Sequence, residues 1–408
     1  MCRQEALSAW IAELESAFAH LSRPQVKVLA QYSLGMVLAG RCGLCSVSLV
    51  LSQWMGQKFN SVRERLRDWY CGASDKSGRK RRELDVASCF APLLAWVLRD
   101  WKSPDLAIAL DATTLGQRFV VLAISVMYRA CAIPVAWVVL PATAKGAWKP
   151  HWLELLRGFK QVVPPHLRVI VLADRGLYAK WLFHAIVELG WHPFLRINKT
   201  NADFKPQGTD AYVPVASLLP HVGSDYCASG VMFRSSRTRV PNCTLTARWT
   251  QGHEEGWFVL TDLPPQQADC AWYGLRGWIE RGFKHAKSGG WDWQDTRMDD
   301  PQRASRQWLA MAVATVLVLR QGAALELGDS HDTDVPVQSQ ATSQPSSKAG
   351  SGVDRPASPS KPRRRRFLSI FRAGLLIMQS TLLATLNLPP PTFSPEPWPT
   401  SNPTSQPP

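Results

Sequence analysis

Two apolar runs of this chain each end on an aspartate, Leu106–Leu110 on Asp111 and Leu167–Ala173 on Asp174. Sites in α/β folds are built at strand ends, although a single aspartate there is often no more than a turn residue. Two such carboxylates together suit a divalent cation, because hard oxygen ligands favour magnesium or manganese. Further along, Tyr273, Arg276, Glu280 and Lys287 stand at offsets of 0, 3, 7 and 14. At about 100° per residue they fall within roughly 60° of one another on one helix face. One stripe then carries a phenol, a guanidinium, a carboxylate and an ammonium. Arg276 and Glu280, four residues apart, could be a plain surface ion pair. That reading leaves Tyr273 and Lys287 unaccounted for, and Trp272, Trp278 and Phe283 are at hand to bury the other faces. Together these residues supply what phosphodiester chemistry needs. Three carboxylates can bind two divalent ions, one activating the attacking oxygen and the other stabilising the leaving oxygen. Arg276 and Lys287 can hold phosphate oxygens, the first as a fork and the second as a point charge.

The elements that must position these groups follow from pattern. Phe119–Val126 and Ile133–Leu140 are strand-like runs close enough to Leu106–Leu110 for an antiparallel meander. Trp148–Val162 and Tyr178–Leu189 read as helices, and Pro193–Ile197 as a strand, which makes an α/β pattern. From Lys199 to Pro265 the alternation stops: Val231–Arg234, Thr244–Trp249 and Trp257–Thr261 are strand candidates without a helix, a β-rich insertion. Helical periodicity returns over Ala268–Lys287 and Pro301–Arg320, the latter reading as a buried helix around Trp308–Leu319.

The flanks differ in texture. Residues 1–104 read as helical, with 15 basic and nine acidic residues, including an amphipathic Ser61–Tyr70 and the basic run Arg79–Arg82. A solvated basic face is the bland account; a DNA-contacting domain neutralising phosphates is the functional one. Residues 326–366, rich in Ser, Gln, Pro and Thr from Gly328 on, are expected to be a disordered linker carrying the basic run Arg363–Arg366. The apolar stretch 367–388 reads as a C-terminal helix; Arg372, Gln379, Ser380 and Thr381 argue against a membrane span. Residues 389–408 hold nine prolines and are expected to be an unfolded tail.

Composition excludes several classes. The 408 residues suggest two or three domains at roughly 100–200 residues each. A hydrophobic share of 46% is ordinary for a globular chain. A net charge of +15 points to a polyanionic partner, nucleic acid or an acidic membrane surface. Nine scattered cysteines, and a start without a secretion signal, suggest a reducing cytoplasm. The lone Cys42-x-x-Cys45 has no second ligand pair for zinc, the histidines show no H-E-x-x-H pairing, and no phosphate-cradling glycine loop is present.

On these residues the sequence resembles the DDE transposases of bacterial insertion sequences, in the cut-and-paste group with the signature Y-x2-R-x3-E-x6-K. The signature stands intact as Tyr273, Arg276, Glu280 and Lys287, with Asp111 in Leu-Asp-Ala-Thr-Thr-Leu-Gly and Asp174 in Ala-Asp-Arg-Gly-Leu-Tyr. Lys-Ser-Gly-Gly-Trp-Asp-Trp after Glu280, and Trp-Phe-Val-Leu-Thr-Asp-Leu before Tyr273, also resemble the family, and the likeness runs from about Leu106 to Arg320. It implies a ribonuclease H-like catalytic core over residues 105–325, interrupted by a β-rich insertion at 199–265 and preceded by the helical DNA-binding domain. It implies that Asp111, Asp174 and Glu280 are catalytic and bind two Mg2+ or Mn2+ ions, and that Tyr273, Arg276 and Lys287 contact DNA phosphates. Relatives also stack a flipped base on a tryptophan of the insertion, for which Trp249 and Trp257 are candidates, with core packing an equal account of each.

The implied reaction is metal-dependent cleavage of double-stranded DNA at transposon ends, a hairpin intermediate, and joining of freed 3′-ends to target DNA. A homodimer would hold the two ends, in the bacterial cytoplasm at the nucleoid and without a membrane. The low-complexity tail departs from the compact C-terminal part such an assembly leads one to expect. Two other readings stand beside this one: a catalytically inactive, transposase-derived DNA-binding protein, and a nuclease that cuts without joining. The intact acidic triad speaks against the first; a strand-transfer assay separates the second.

Overall fold

The computed structural model describes residues 3–76, 82–144, 148–331, 367–384, 391 and 393–400. The chain begins with four helices, α1 (Arg3–Ala17), α2 (Arg23–Ala39), α3 (Leu44–Met55) and α4 (Phe59–Tyr70), followed by α5 (Phe90–Leu98). Sequence punctuation sets their ends: Pro24 sits in the first turn of α2, and Gly40 closes it with φ of 64°, a left-handed cap that glycine adopts without strain. On α4 the apolar Val62, Leu66 and Trp69 are buried, Arg63 and Arg67 pair with Glu64 on the outer side, and Arg65 reaches in to Gln31.

Three long strands come next, β1 (Asp105–Leu115), β2 (Phe119–Tyr128) and β3 (Cys131–Pro141), paired antiparallel in sequence order. They are followed by α6 (Lys149–Arg157), β4 (Arg168–Ala173), α7 (Lys180–Glu188) and β5 (His192–Arg196). The remaining strands are β6 (Asp203–Pro206), β7 (Val213–Pro214), β8 (Asp225–Met232), β9 (Val240–Arg248) and β10 (Trp257–Thr261). Among the described residues these strands form a single sheet in the order β3-β2-β1-β4-β5-β10-β9-β8-β6-β7. The segment after Lys199 therefore extends the central sheet, through antiparallel pairing of β10 with β5.

The register builds the site. β4 runs parallel to β1 with Ala173 opposite Leu110, so Asp111 and Asp174 follow side by side on neighbouring strands. Asp111 does not end its strand, as the apolar run suggested. β1 continues to Leu115 because β2 still pairs with it there, whereas β4 stops at Ala173.

Two further helices, α8 (Gly277–Lys287) and α9 (Pro301–His331), pack on β3. α9 also packs on α2 and α4, which joins the N-terminal helices to the sheet. It is long and apolar enough to cross a membrane, but its apolar residues are buried against these neighbours. It runs on to His331, past the expected start of the linker, with Ala323 buried and Glu326 paired with Arg129. The rest of the expected linker, with Arg363–Arg366, lies outside the described residues.

Helix α10 (Ile370–Leu383) occupies the core of the 367–388 stretch and lies on α9 and α2. Gly322 and Gly374 let α9 and α10 meet backbone to backbone, since a Cβ on either would strike the other helix. The proline-rich tail differs from expectation over Phe393–Thr400: it has no helix or strand, yet it is seated on the body. Phe393 is buried against Tyr128, the Arg129 guanidinium donates to the Ser394 carbonyl, and Trp398 packs edge-on to Trp272. Its aromatic side chains supply the apolar contact that the prolines lack. Residues 389–390, 392 and 401–408 lie outside the described residues.

Candidate active site

Asp111 and Asp174 each turn one oxygen to backbone amides and the other to a shared cation. Asp111 Oδ1 accepts from the Ala112 amide at 2.8 Å. Asp174 Oδ1 accepts from the amides of Gly176 at 3.0 Å and Leu177 at 3.1 Å, the turn that an aspartate just past a strand makes readily. Both Oδ2 atoms face one group, Arg276 Nη2, at 2.8 Å from Asp111 and 3.6 Å from Asp174. The other terminal nitrogen of Arg276 donates to Glu280 Oε1, one turn further along. Three carboxylates from β1, the end of β4 and α8 thus converge on one guanidinium.

Exposure grades across the three. The side chain of Asp111 is 14% exposed, that of Asp174 35% and that of Glu280 63%, with Arg276 at 16%. Burial raises the Asp111 carboxyl above its ordinary pKa, and Arg276 pulls back against that rise. Burial also disfavours the charge of Arg276, but Asp111, Tyr273, Asp174 and Glu280 outweigh it and raise its pKa. The Arg276 Nε is buried without a hydrogen-bond partner among the described residues.

The expected single helix through Tyr273 and Lys287 is two pieces. Cys270–Arg276 is a 3-10 helix, capped by Asp269 accepting from the Ala271 amide at 2.9 Å, and α8 begins at Gly277. The tighter winding turns Tyr273 inward, where it is buried edge-on to Trp257 at 5.3 Å between ring centroids. Its hydroxyl lies near Arg196 and within the field of Arg276 and Asp174. Burial pushes that hydroxyl up to about 12, so it stays protonated and can donate. Lys287 sits at the far end of α8, its amino group donating to the Thr114 carbonyl at 3.2 Å. Tyr273, Arg276 and Glu280 therefore join the aspartates closely, and Lys287 flanks them.

Trp249 and Trp257 bracket the loop between β9 and β10 and are both half-buried. Trp257 touches Tyr273, whereas Trp249 turns to the loop itself, its indole N–H donating to the His253 carbonyl at 3.0 Å.

By ligand type the donor set suits Mg2+ or Mn2+, with open carboxylate oxygens aimed at one cationic group. As they stand, no three His, Cys, Asp or Glu side chains among the described residues close around a single point. The guanidinium fills the space between them, and Glu280 is the one exposed enough to move.

Sequence reasoning missed one feature nearby. Glu255 accepts from Arg175 and Arg196 and pairs with Lys199. The neighbouring Asp174-Arg175 pair was its only sequence signal.

Two carboxylates on adjacent parallel strands and a helix-borne glutamate thus face one guanidinium. Residues 102–317 match the family described as transposase DDE domain, and the chain belongs to that family. Among solved structures, the chain resembles the piggyBac transposase synaptic complex with hairpin DNA at 11% identity. That likeness covers 82% of this chain and 84% of the other, with a TM-score of 0.32, too slight an overlap to bear on fold or chemistry. No curated protein matches the chain.

Proposed function

We propose that the protein is a DNA transposase of the bacterial insertion-sequence type, which cuts transposon ends and joins them to target DNA. The observation that carries this reading is the meeting of Asp111, Asp174 and Glu280 around Arg276, in a chain of the DDE family. When bound by these carboxylates, two Mg2+ or Mn2+ ions supply activation of the attacking oxygen and stabilisation of the leaving one. Asp111 and Asp174, each held through Oδ1 by backbone amides, and Glu280 would hold the ions.

Arg276 then turns from carboxylates to a phosphate oxygen, for which its forked donors are suited. Tyr273 donates its hydroxyl to the backbone near the cut, and Lys287 holds a phosphate on the β1 side. Trp257 is the better candidate for base stacking, since it touches Tyr273 and Trp249 does not. The catalytic part is a ribonuclease H-like core spanning 105–325, with 199–265 as its insertion and residues 1–104 contacting DNA. Two copies hold two transposon ends at the nucleoid.

The test is Mg2+-dependent cleavage of a DNA end from the element flanking the gene, comparing wild type with Asp111→Ala and Glu280→Ala. Nicking that both substitutions abolish supports the enzyme. Specific binding without cleavage, unchanged by either, leaves a DNA-binding derivative. Nicking without strand transfer leaves a nuclease.

A further inference from the structure

One strand away from the carboxylates lies a cluster of opposite sign. Arg175 directly follows Asp174, Arg196 ends β5, and Lys199 lies just beyond it. All three turn to Glu255, in the loop that leads into β10. Its Oε1 accepts from Arg196 at 2.5 Å and from Arg175 at 2.9 Å, and Lys199 approaches its Oε2 at 3.5 Å. The pairing of β5 with β10 sets Arg196 opposite Val259 and brings that loop across.

Three cations on one carboxylate leave a net positive charge. Arg196 and Glu255, 20% and 28% exposed, already make a balanced, largely buried pair, so the more exposed Arg175 and Lys199 add charge that repels it and contributes little stability. The surplus charge therefore has a poor structural rationale. It lies against the site: Arg175 directly follows Asp174, whose carboxylate faces Arg276, and Arg196 lies near the Tyr273 hydroxyl. The cluster is also open to a ligand, with Arg175 54% and Lys199 43% exposed. A carboxylate and a phosphodiester each present two oxygens that share one negative charge. Two guanidiniums and an ammonium are the donors that bind either.

We propose that Arg175, Arg196 and Lys199 form a binding site for a phosphodiester of the DNA backbone, and that Glu255 fills this site as an internal phosphate mimic in the DNA-free protein. The inference rests on the reading of this protein as one that acts on DNA. DNA entering the site must displace Glu255, and with it the loop between Trp249 and Trp257.

The experiment is duplex binding by the full chain, followed by anisotropy of a short labelled DNA across a salt series. It compares wild type, Glu255→Gln, and Glu255→Gln combined with Arg196→Gln and Lys199→Gln, each checked for an unchanged melting profile. Glu255→Gln should bind roughly three- to tenfold tighter at low salt, since it removes a competing anion. The slope of log K against log salt should steepen by about 0.9, the value for one more neutralised phosphate. The triple variant should lose the gain. Inorganic phosphate, titrated separately, distinguishes a free anion site from a backbone site.

Equal or weaker binding by Glu255→Gln, with wild type bound, overturns the mimic and leaves the cluster a structural hub on a DNA-binding protein. A gain that persists in the triple variant overturns the assigned cations. A gain for inorganic phosphate alone overturns the DNA ligand. Absence of duplex binding by every protein, wild type included, removes the functional reading and this inference with it.

Discussion

Two charge clusters sit at the ends of β4 and β5 and are near mirror images in sign. Around Arg276 three carboxylates share one cation; around Glu255 three cations share one carboxylate. Tyr273 lies between them, within the field of both Arg196 and Arg276. They differ in how they are held. The two aspartates are pinned by backbone amides, so their positions survive loss of the central guanidinium. Arg175, Arg196 and Lys199 have Glu255 as their common partner, and Glu255 rides on a loop. The acidic half is preorganised for a ligand, and the basic half is organised by its stand-in. A site built for charge transfer needs the first kind of rigidity around the reacting atoms; the second suits the capture and release of a backbone.

The largest break in this comparison comes from the acidic half. Asp174→Asn keeps an acceptor for the Gly176 and Leu177 amides and removes only the charge. Metal-dependent cleavage should fall about a thousandfold or more, as for loss of a group acting only in the transition state. The melting temperature should barely move. A nicking assay beside a thermal melt checks this; a variant that still cleaves, or one that unfolds, breaks the assignment.

A smaller effect is expected at the shared cation. Arg276→Gln removes the guanidinium between the carboxylates, whose Nε makes no hydrogen bond among the described residues. Mn2+ affinity of the DNA-free protein should rise roughly tenfold, about 1.4 kcal/mol, because a competing positive charge has gone. Cleavage should fall nonetheless, since Arg276 is then lost to the phosphate. Calorimetric titration with Mn2+ reads the first effect. Unchanged or weaker Mn2+ binding would mean that the guanidinium props the carboxylates apart from any ion rather than competing with one.

How far these halves are legible in the sequence differs for a physical reason. Asp111 and Asp174 each follow an apolar run, and Arg276 and Glu280 are neighbours on one stripe, so local pattern reveals them. The break in the helix through Tyr273 is hidden, because a 3-10 turn before Gly277 leaves no periodic mark over so few residues. The basic half leaves almost no trace. Its members meet because β4 pairs with β5 and β5 with β10, long-range choices that strand patterning does not encode. Glu255, beside Glu254, reads as an ordinary solvated loop charge. The tail shows the same limit: proline content announces an extended chain, but not that Phe393 and Trp398 find partners on Tyr128 and Trp272.

The loop that carries Glu255 offers a finer discrimination between its two tryptophans. Trp257 packs on Tyr273, while Trp249 bonds within the loop. Replacing Trp257 by Leu should weaken binding to an unpaired or flipped-base DNA end by about 1–3 kcal/mol, the range for one base–aromatic stack. The same change at Trp249 should cost less. Anisotropy with paired and unpaired ends separates them, and an equal loss at both would place stacking elsewhere.

The subtlest effect concerns Glu280, the loosest member of the acidic half. Its helix is anchored at the other end by His285, whose ring stacks on Phe371 with centroids 4.2 Å apart and planes within 9°. Burial, aided by Arg281 and Lys284, lowers the His285 pKa to about 4. An unfolded histidine titrates near 6.5. Between these values the unfolded chain binds a proton that the folded chain refuses. This contribution to stability is therefore complete above about pH 6.5 and is lost as pH falls towards 4. From pH 6.5 to 5 the loss is at most about 2 kcal/mol, at about 1.4 kcal/mol per unit. His285→Phe keeps the stack and removes the titration, so its stability should fall less steeply over that window than that of wild type. The difference between the two profiles is the readout, because other groups contribute equally to both. Protonation there loosens α8 and with it Glu280, but leaves β5 and β10 untouched. Acidification should then weaken Mn2+ binding in wild type more than in His285→Phe, while the Glu255 cluster responds alike in both. Identical slopes would show that the ring of His285 keeps its proton affinity in the fold, and that α8 is held by other contacts.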